Sequence, residues 1–515
     1  MIKSTGRTLI KKFLIPLLLV TSQVVYAAQS DSLINRLSVK PFLWYRADSA
    51  GSTAGLWQNY VDTSHTLTLD STAIFETGSM NFHPALLRKL SDEPFKINYY
   101  PPKRGKARVF IVYMSSDTMQ EDGLWSLVFD TLRRCGLTTH RIIGRRRDIK
   151  YADTTMTIPI INYLSHSWRL RGIDSNMAGL YLAGTDSFAL KGKIAEIMYF
   201  DKKLNRRDEE LIHSYLAIKY GITIGRYNYI SSQDSIVWNT KDNSTYNHDV
   251  AGIARDEGLD LYQKQASGKG GKSAVTMYLA TLTQDNAANE GQMSDNTWII
   301  WGDNAKAMRT KSDSTAHDSL KVSSLIEREW KVEVRGDSAR YLNTNLMLNA
   351  EGLDSNATVK LVIKPRFNME YWTDSVLIIA PDSSDAAGKV YYSGLQWDMD
   401  GSGSDMFTFK IDTGASNMSY YMNNTLSRKD MKQDEKMKVR LFPNPNAGEF
   451  SLQIYCNRQS NISVEVTDVE GKMIKKERYT TQRFIWLKEK IETPGVYFVR
   501  ITDGKETIVR KVVVK

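Results

Sequence analysis

The densest set of potential ligand atoms in the chain is the loop Asp398-Met399-Asp400-Gly401-Ser402-Gly403-Ser404-Asp405. Calcium takes several hard oxygen donors from a tight turn. Asp398, Asp400 and Ser402 stand at the first, third and fifth places of such a turn, Gly403 stands at the sixth, and Asp405 adds another carboxylate. The twelfth place is Phe409, where an EF-hand needs a bidentate glutamate. Two readings stay open: a calcium site on Asp398, Asp400 and Asp405, or a glycine-rich acidic hairpin between Tyr391–Trp397 and Met406–Lys410. No other cofactor is implied.

The remaining chemistry-bearing residues fall short of a catalytic pattern. Gly268-Lys269-Gly270-Gly271-Lys272-Ser273 imitates a phosphate loop, but Ala266 stands where its first glycine belongs and no helical pattern follows, so a hairpin loop is expected. The histidines, His65, His83, His140, His166, His213, His248 and His317, do not pair at metal-ligand spacing, and HExxH and GxSxG are both absent. Glu196 and Asp201 are five apart on one strand, so they point to opposite faces and cannot straddle a glycosidic bond. Cys135, in RRCGL, has no nucleophile context. Trp44, Trp57, Trp168, Trp238 and Trp301 could form a sugar-stacking platform, although buried core is the commoner use of such residues. These features favour a non-enzymatic protein.

Charge narrows the partners. The formal net charge is +10; the first 27 residues contribute +4 and the residues from Lys436 onward +7, leaving the body at −1. A near-neutral body lacks the concentrated basic footprint of a nucleic-acid binder, and Arg145-Arg146-Arg147 reads as a solvated loop. The two cysteines, Cys135 and Cys456, fall in different expected domains and are not expected to pair. Stability must then come from cores, and about 400 residues between the terminal segments suffice for two large β domains.

The elements follow in order. Lys3, Arg7, Lys11 and Lys12 precede the apolar run Phe13–Val20, and Val25-Tyr26-Ala27 offers small residues, so residues 1–27 read as a secretory signal cleaved after Ala27. No apolar run reaches about 18 residues, so no transmembrane segment is expected. In Ser38–Ala50, Phe42, Trp44 and Arg46 are expected to share one strand face. Ala107–Met114, Leu124–Phe129, Thr157–Leu164 and Ala178–Ala183 read as strands. Ile194–Phe200 is a strand leading into a helix that Asn205 caps, with Asp208 at the third helical position and Gly221 closing it. Leu211, Tyr215 and Ile218, with Ile212, Leu216 and Lys219 beside them, give that helix an amphipathic stripe. A second set of strands spans Ser235 to Ile411, and residues 417–435 are a polar linker. Beyond it, Pro443-Asn444-Pro445 holds the chain extended, Gly448 releases it, Glu470-Gly471 turns, and Asp503-Gly504 signals a two-residue hairpin into a strand from Lys505. About seven short strands are expected in this last segment. The fold class is therefore all-β.

Three stretches resemble known families. Pro443-Asn444-Pro445, Gly448, Asp468 to Gly471, Gly495 with Tyr497, and Lys511-Val512-Val513-Val514-Lys515 closely resemble the C-terminal sorting domain of type IX secretion cargo. Trp44-Tyr45-Arg46-Ala47-Asp48, Ile194-Ala195-Glu196-Ile197 and Ser214 to Gly221 resemble concanavalin A-like, laminin-G-like jelly rolls. Asp249 to Asp256, Trp301-Gly302-Asp303 and Arg328 to Val332 resemble an uncharacterised β-rich domain. The expected organisation is a signal peptide (1–27), a jelly-roll sandwich with a closing helix (28–225), a second β-sandwich-like domain (226–416), the linker (417–435) and a small immunoglobulin-like sorting sandwich (436–515). The resemblance implies passage through the periplasm to the outer cell surface or beyond. It also implies handling by the type IX machinery and removal of the sorting domain by a surface sortase-like peptidase. The expected function is a secreted or surface adhesin or glycan-binding protein whose partners are glycans or host or surface proteins. The alternative is a jelly-roll carbohydrate-active enzyme with unrecognised catalytic residues.

A last pattern recurs through the body: Asp followed by Ser or Thr and then by a small, aliphatic or Thr residue. It places hydroxyls at Ser71, Thr154, Ser235, Ser314, Ser319, Ser338 and Ser375. Turn chemistry explains the Asp-Ser pair but not the third position. The pattern resembles the acceptor of a periplasmic O-glycosylation system.

Overall fold

The computed structural model describes residues 32–515 apart from 50–54, 63, 71–72, 90–91, 103–104, 117–119, 131–132, 145–148, 151–161, 171–176, 312–323, 354–356, 365–375, 399–400, 413–436 and 443. The signal segment with Ala27, the linker 417–435, the run Arg145–Arg147, and Ser71, Thr154, Ser314, Ser319, Ser375, Asp400 and Pro443 lie outside the described residues.

Strands are the dominant regular element of the described chain, and its sheets pair antiparallel. One sheet runs in the order Asn162–Leu170, Gly105–Ser115, Gly192–Phe200, His83–Arg88, Ile74–Met80, with Leu43–Arg46 also paired to Gly192–Phe200. A second runs Ile149–Lys150, Arg141–Ile143, Arg134–Thr138, Gly123–Val128, Ala178–Leu182, Phe95–Tyr99. Strand alternation sends Leu43, Tyr45, Val109, Ile111, Ile197 and Tyr199 into the core against Trp125, Leu127, Leu180 and Leu182. Phe42 departs from the expected alternation. It lies just before its strand and packs in this inter-sheet core beside Tyr99 and Tyr199, while Trp44 faces the other way.

The opposite face of the first sheet is buried too. Phe110, Val112, Met198 and Phe200 point away from the second sheet and meet the helix Arg206–Tyr220. Asn205 caps this helix as expected, its Oδ1 accepting the Asp208 N–H at 2.7 Å, and Gly221 closes it at φ 61°. The Asp208 carboxylate accepts from the N–H and hydroxyl of Ser38, which ties the helix start to the segment before the first strand. The helix is not the half-exposed one its stripe implies. Every residue from Leu211 to Tyr220 is buried, because a second sandwich covers its far side.

That second sandwich has a sheet ordered Leu261–Gln263, His248–Asp256, Thr297–Asp303, Trp330–Arg335, Ser404–Asp412, Thr358–Lys364, Leu377–Ile379. Its partner is ordered Gln265–Ser267, Val275–Tyr278, Thr344–Asn349, Lys389–Leu395, Ser383–Ser384. Ala251, Ile253, Ile299 and Trp301 enter the core between them, while Val250, Ala254, Trp298 and Ile300 face the helix. Gly252 lies on that helix face, where a Cβ would sit 3.1 Å from Ile218 Cδ1. The two sandwiches also interlock through the turn at Asn81-Phe82, both residues holding positive φ. Asn81 Nδ2 donates to the Lys219 carbonyl (3.0 Å), the Ser267 N–H donates to Asn81 Oδ1 (2.9 Å), and the Asn286 N–H donates to the Phe82 carbonyl (2.7 Å). A boundary at 225/226 therefore follows directly on an element whose core both sandwiches share.

The last segment forms one sheet of five strands: Lys438–Phe442, Glu449–Asp468, Met473–Lys490, Gly495–Thr502 and Thr507–Val514. The expected count of seven is reduced because two strands run 20 and 18 residues. Register shifts between Tyr455 and Ile462 bend this pair without ending it. The final hairpin has a four-residue loop, Asp503–Glu506, since Thr502 pairs with Thr507 and Asp503 Oδ1 accepts the N–H groups of Lys505 and Glu506.

Truncating the shared helix should be felt on both sides of it. Ile218→Ala is expected to cost about 2–5 kcal/mol, the range for an emptied core site, and to lower stability in both sandwiches together. Hydrogen exchange of the two sandwiches, measured in parallel, checks this; an unchanged opening free energy in either one contradicts it.

Candidate functional site

The three stretches that resemble a jelly roll converge on one buried polar cluster. A register shift between Ile194 and Glu196 puts both Ala195 and Glu196 on the helix side of their strand. Glu196, 1 % exposed, accepts from Trp44 Nε1 (2.5 Å), Tyr215 Oη (3.2 Å), Tyr220 Oη (2.8 Å) and Lys219 Nζ (2.9 Å). Lys219 Nζ also meets Asp48 Oδ2 at 2.9 Å, and Arg46 Nε meets Asp48 Oδ1 at 3.1 Å. The Arg46 guanidinium lies over the Tyr60 ring at 4.7 Å. Burial lifts the Tyr215 and Tyr220 phenols well above their ordinary value, so both remain proton donors. Burial alone would raise the Asp48 carboxyl, but Lys219 and Arg46 outweigh it and hold it well below the usual carboxylate range. Every partner of Glu196 is a donor that stabilises its anion. This suits a structural counter-ion to Lys219.

A cavity of about 340 Å³ opens at the start of the same helix. Lys106 and Arg108 reach it from the strand Gly105–Ser115, Lys202, Lys203 and Leu204 from the loop before the helix, Arg206 and Glu209 from its first turn, and Arg226 and Tyr227 from beyond its end. Glu209 accepts from Tyr227 Oη at 2.6 Å and pairs with Arg108 at 3.4 Å. Behind Tyr227 the His213 ring stacks at 4.6 Å. Burial, with Arg108 and Arg226 nearby, pushes the His213 imidazole down to about 3, so it is neutral here. Sequence reasoning missed this group. Its signal was the doublet Lys202-Lys203 followed by Arg206-Arg207 at a helix start, where cations oppose the helix dipole.

The other candidates resolve as follows. Asp398, at φ 57°, accepts the Gly403 N–H on Oδ1 (2.6 Å), and its own N–H donates to Asp405 Oδ2 (2.6 Å). Both carboxylates thus serve the turn between two strands. Among the described residues no group of three or more His, Cys, Asp or Glu side chains is placed to hold a metal ion. The segment imitating a phosphate loop is a tight turn with positive φ at Lys269, Gly270 and Gly271, and Lys269 Nζ lies 3.4 Å from Asp249 Oδ2. Asp249 and Asp303 both face Arg328, at 3.8 and 3.3 Å, so the motifs of the second domain also gather into one ion cluster. Trp44, Trp57, Trp238 and Trp301 are fully buried and cannot stack on a sugar; the side chain of Trp168 lies outside the described residues. Cys135 and Cys456 are both buried, and burial pushes the Cys135 thiol up to about 12. No helix among the described residues is long and apolar enough to cross a membrane.

In the last segment the separated motifs meet. Asn444 Nδ2 donates to the Lys511 carbonyl (2.7 Å) and Asn444 Oδ1 accepts the Val513 N–H (2.9 Å). Asn446 exchanges backbone bonds with Val513 and Lys515. The bond between Asn444 and Pro445 is cis. Gly448, at φ 102°, donates to Asn446 Oδ1. Gly471, at φ 84°, completes a turn in which Asp468 Oδ1 accepts the N–H groups of Glu470 and Lys472. A Cβ on Gly495 would lie 3.4 Å from the Tyr497 ring, whose hydroxyl donates to the Thr493 carbonyl.

The buried cluster can be tested by a double-mutant cycle. Lys219→Met strands the buried Glu196 and is expected to cost about 3–5 kcal/mol; adding Glu196→Gln is expected to recover part of it. Urea titrations of the four proteins measure the coupling, and simple additivity contradicts it. Asp48, with its depressed folded value, contributes stability that is fully present above about pH 4 and is lost as pH falls from there through the folded value. Lys219→Met is expected to blunt that acid slope.

Comparison with known proteins places two families on the chain. A domain of unknown function (DUF8202) matches residues 208–402. No curated protein matches the chain. Among solved structures, a β-glucuronidase from Parabacteroides merdae is 13 % identical with a TM-score of 0.13, covering 33 % of this chain and 28 % of its own. The chain thus spans less than a third of that enzyme's length. Dimeric latent PorU from Porphyromonas gingivalis is 12 % identical with a TM-score of 0.16, covering 82 % of this chain and 31 % of its own. The BSP domain of a biofilm associated protein is 8 % identical with a TM-score of 0.14, covering 86 % and 65 %. At such scores none of the three bears on fold or function. The second family is specific: residues 440–515 match the secretion system C-terminal sorting domain, which makes this chain type IX secretion cargo, exported to the cell surface or released.

Proposed function

We propose that the exported protein is a non-enzymatic surface or secreted protein that binds glycans or surface proteins through the body spanning residues 28–416. The observation that carries this reading is the sorting domain at residues 440–515. Its function is delivery, and it leaves the body to act outside the cell. The chemistry of the body points the same way: the buried carboxylate Glu196 is committed to four donors, and the cavity is lined mainly by cations. The sorting domain is handled by the type IX machinery, and the sortase-like peptidase cuts within the polar linker 417–435. During periplasmic transit the Asp-Ser and Asp-Thr turns receive O-linked glycans. Ser235 and Ser338, the two acceptors among the described residues, both lie on exposed turns, where a bulky polar group is tolerated.

Two measurements test this. Deleting residues 441–515 is expected to leave the body in the periplasm; a truncated protein that still reaches the surface refutes the sorting assignment. Intact mass of the native exported body is expected to exceed that of the unmodified chain from Ala28 to the sorting cut, and an equal mass refutes the glycosylation.

A further inference from the structure

We infer that the cavity at the start of the helix Arg206–Tyr220 binds the oxyanion ester, phosphate or sulfate, of a saccharide. Six cations line it, Lys106, Arg108, Lys202, Lys203, Arg206 and Arg226, against the single carboxylate Glu209. This excess of five charges sits in a body whose net charge is −1. Two of the six are partly neutralised, Arg108 by Glu209 and Arg206 by Glu210 at 2.9 Å. Lys106, Lys202, Lys203 and Arg226 have no ion-pair partner among the described residues. Like charges gathered without counter-charges repel, and a recessed wall concentrates their field on whatever anion enters.

Three further observations favour a ligand over a solvated basic face. The group is drawn from four places in the chain, the strand Gly105–Ser115, the loop before the helix, the helix start and the segment after it, so no local run of sequence accounts for it. Arg206 and Arg207 occupy the first helical positions, where a cation opposes the dipole. The two acidic residues of that turn do not relieve this fully, because Asp208 is engaged with Ser38 and Glu209 with Tyr227 and Arg108. Such a local conflict between sequence and structure is expected at functional sites. The nearby imidazole is held neutral and stacked behind Tyr227, which keeps that ring and Glu209 in place. The volume, about 340 Å³, is that of a small-ligand site and exceeds what a bare oxyanion fills. Glu209 and the Tyr227 oxygen, whose proton is donated to Glu209, supply acceptor atoms for the hydroxyls of an attached sugar.

The saccharide part of this inference rests on the surface-binding function proposed above; the anion part rests on the cavity alone. The test is isothermal titration of the full chain with glucose 6-phosphate, glucose 6-sulfate, glucose, and inorganic phosphate and sulfate at low salt. Both esters are expected to bind at least tenfold tighter than glucose and than the inorganic ions, and to weaken as salt is raised. Whichever ester binds tighter identifies the anion. Lys202→Glu with Lys203→Glu changes exposed side chains and is expected to reduce ester affinity at least tenfold with an unchanged melting temperature. Arg226→Ala is expected to weaken it severalfold. Esters that bind no tighter than glucose, or a folded double variant that binds as the parent does, overturn the inference. Inorganic ions that bind as tightly as the esters overturn the saccharide assignment. Binding of a neutral glycan that ignores Lys202→Glu and Lys203→Glu overturns the cavity and leaves the surface-binding function standing.

Discussion

The structure depends on one helix that has no outside. Most helices present one stripe to a core and the other to water. In Arg206–Tyr220 a sheet from the first sandwich covers one side and a sheet from the second covers the other. This creates an electrostatic problem that the chain must solve locally. Lys219 lies within the buried stretch and is nearly inaccessible, and an ammonium there is tolerable only beside compensating charge. Glu196 and Asp48 supply it, and the Tyr215 and Tyr220 hydroxyls with Trp44 Nε1 complete the coordination of Glu196. The apolar burial supplies the driving force. The ion cluster fixes which rotation of the helix is compatible with both sheets.

The same arrangement sets up the cavity. The helix is capped by Asn205 and anchored through Asp208 to Ser38, so its first turn is fixed against the first sheet. Lys106 and Arg108 lie on that sheet's helix-facing side, one alternation from Phe110 and Val112. The apolar residues fill the space under the helix and the basic ones emerge where the helix begins. The position of the cations is therefore a by-product of strand period and helix length.

Much of this was legible in the sequence and some was not, for physical reasons. The all-β class, the helix Arg206–Tyr220 with its caps at Asn205 and Gly221, and the sorting segment came from local signals: strand alternation, side-chain caps and glycines with positive φ. The motif residues Trp44, Arg46, Asp48 and Glu196 could be picked out, but their convergence could not. It needs a bulge between Ile194 and Glu196 to turn the carboxylate toward the helix, and no residue in that stretch announces a bulge. The stripe on the helix showed that one face is apolar. It could not show that the other is covered as well, because the partners of Lys219 and His213 come from outside the helix. The basic cavity was missed because its residues are separated by up to the length of a domain and meet only in space. The spacing of Asp398 and Asp405 suits a cation and equally suits the backbone N–H groups of a tight turn, so it does not by itself choose between them.

The doubly covered helix also bears on how such a chain can be inherited. Two β-sandwiches joined end to end invite exchange by recombination, each moving as a cassette. Here a crossover just before the helix leaves the first sheet with Phe110, Val112, Met198 and Phe200 bare, and one just after it leaves Val250, Ala254, Trp298 and Ile300 bare. The family match that begins at residue 208 assigns the helix to the second sandwich, yet its charge partners Asp48 and Glu196 are encoded in the first. The two sandwiches and the helix between them are thus one packing unit, and the sorting domain is matched as a separate segment at residues 440–515.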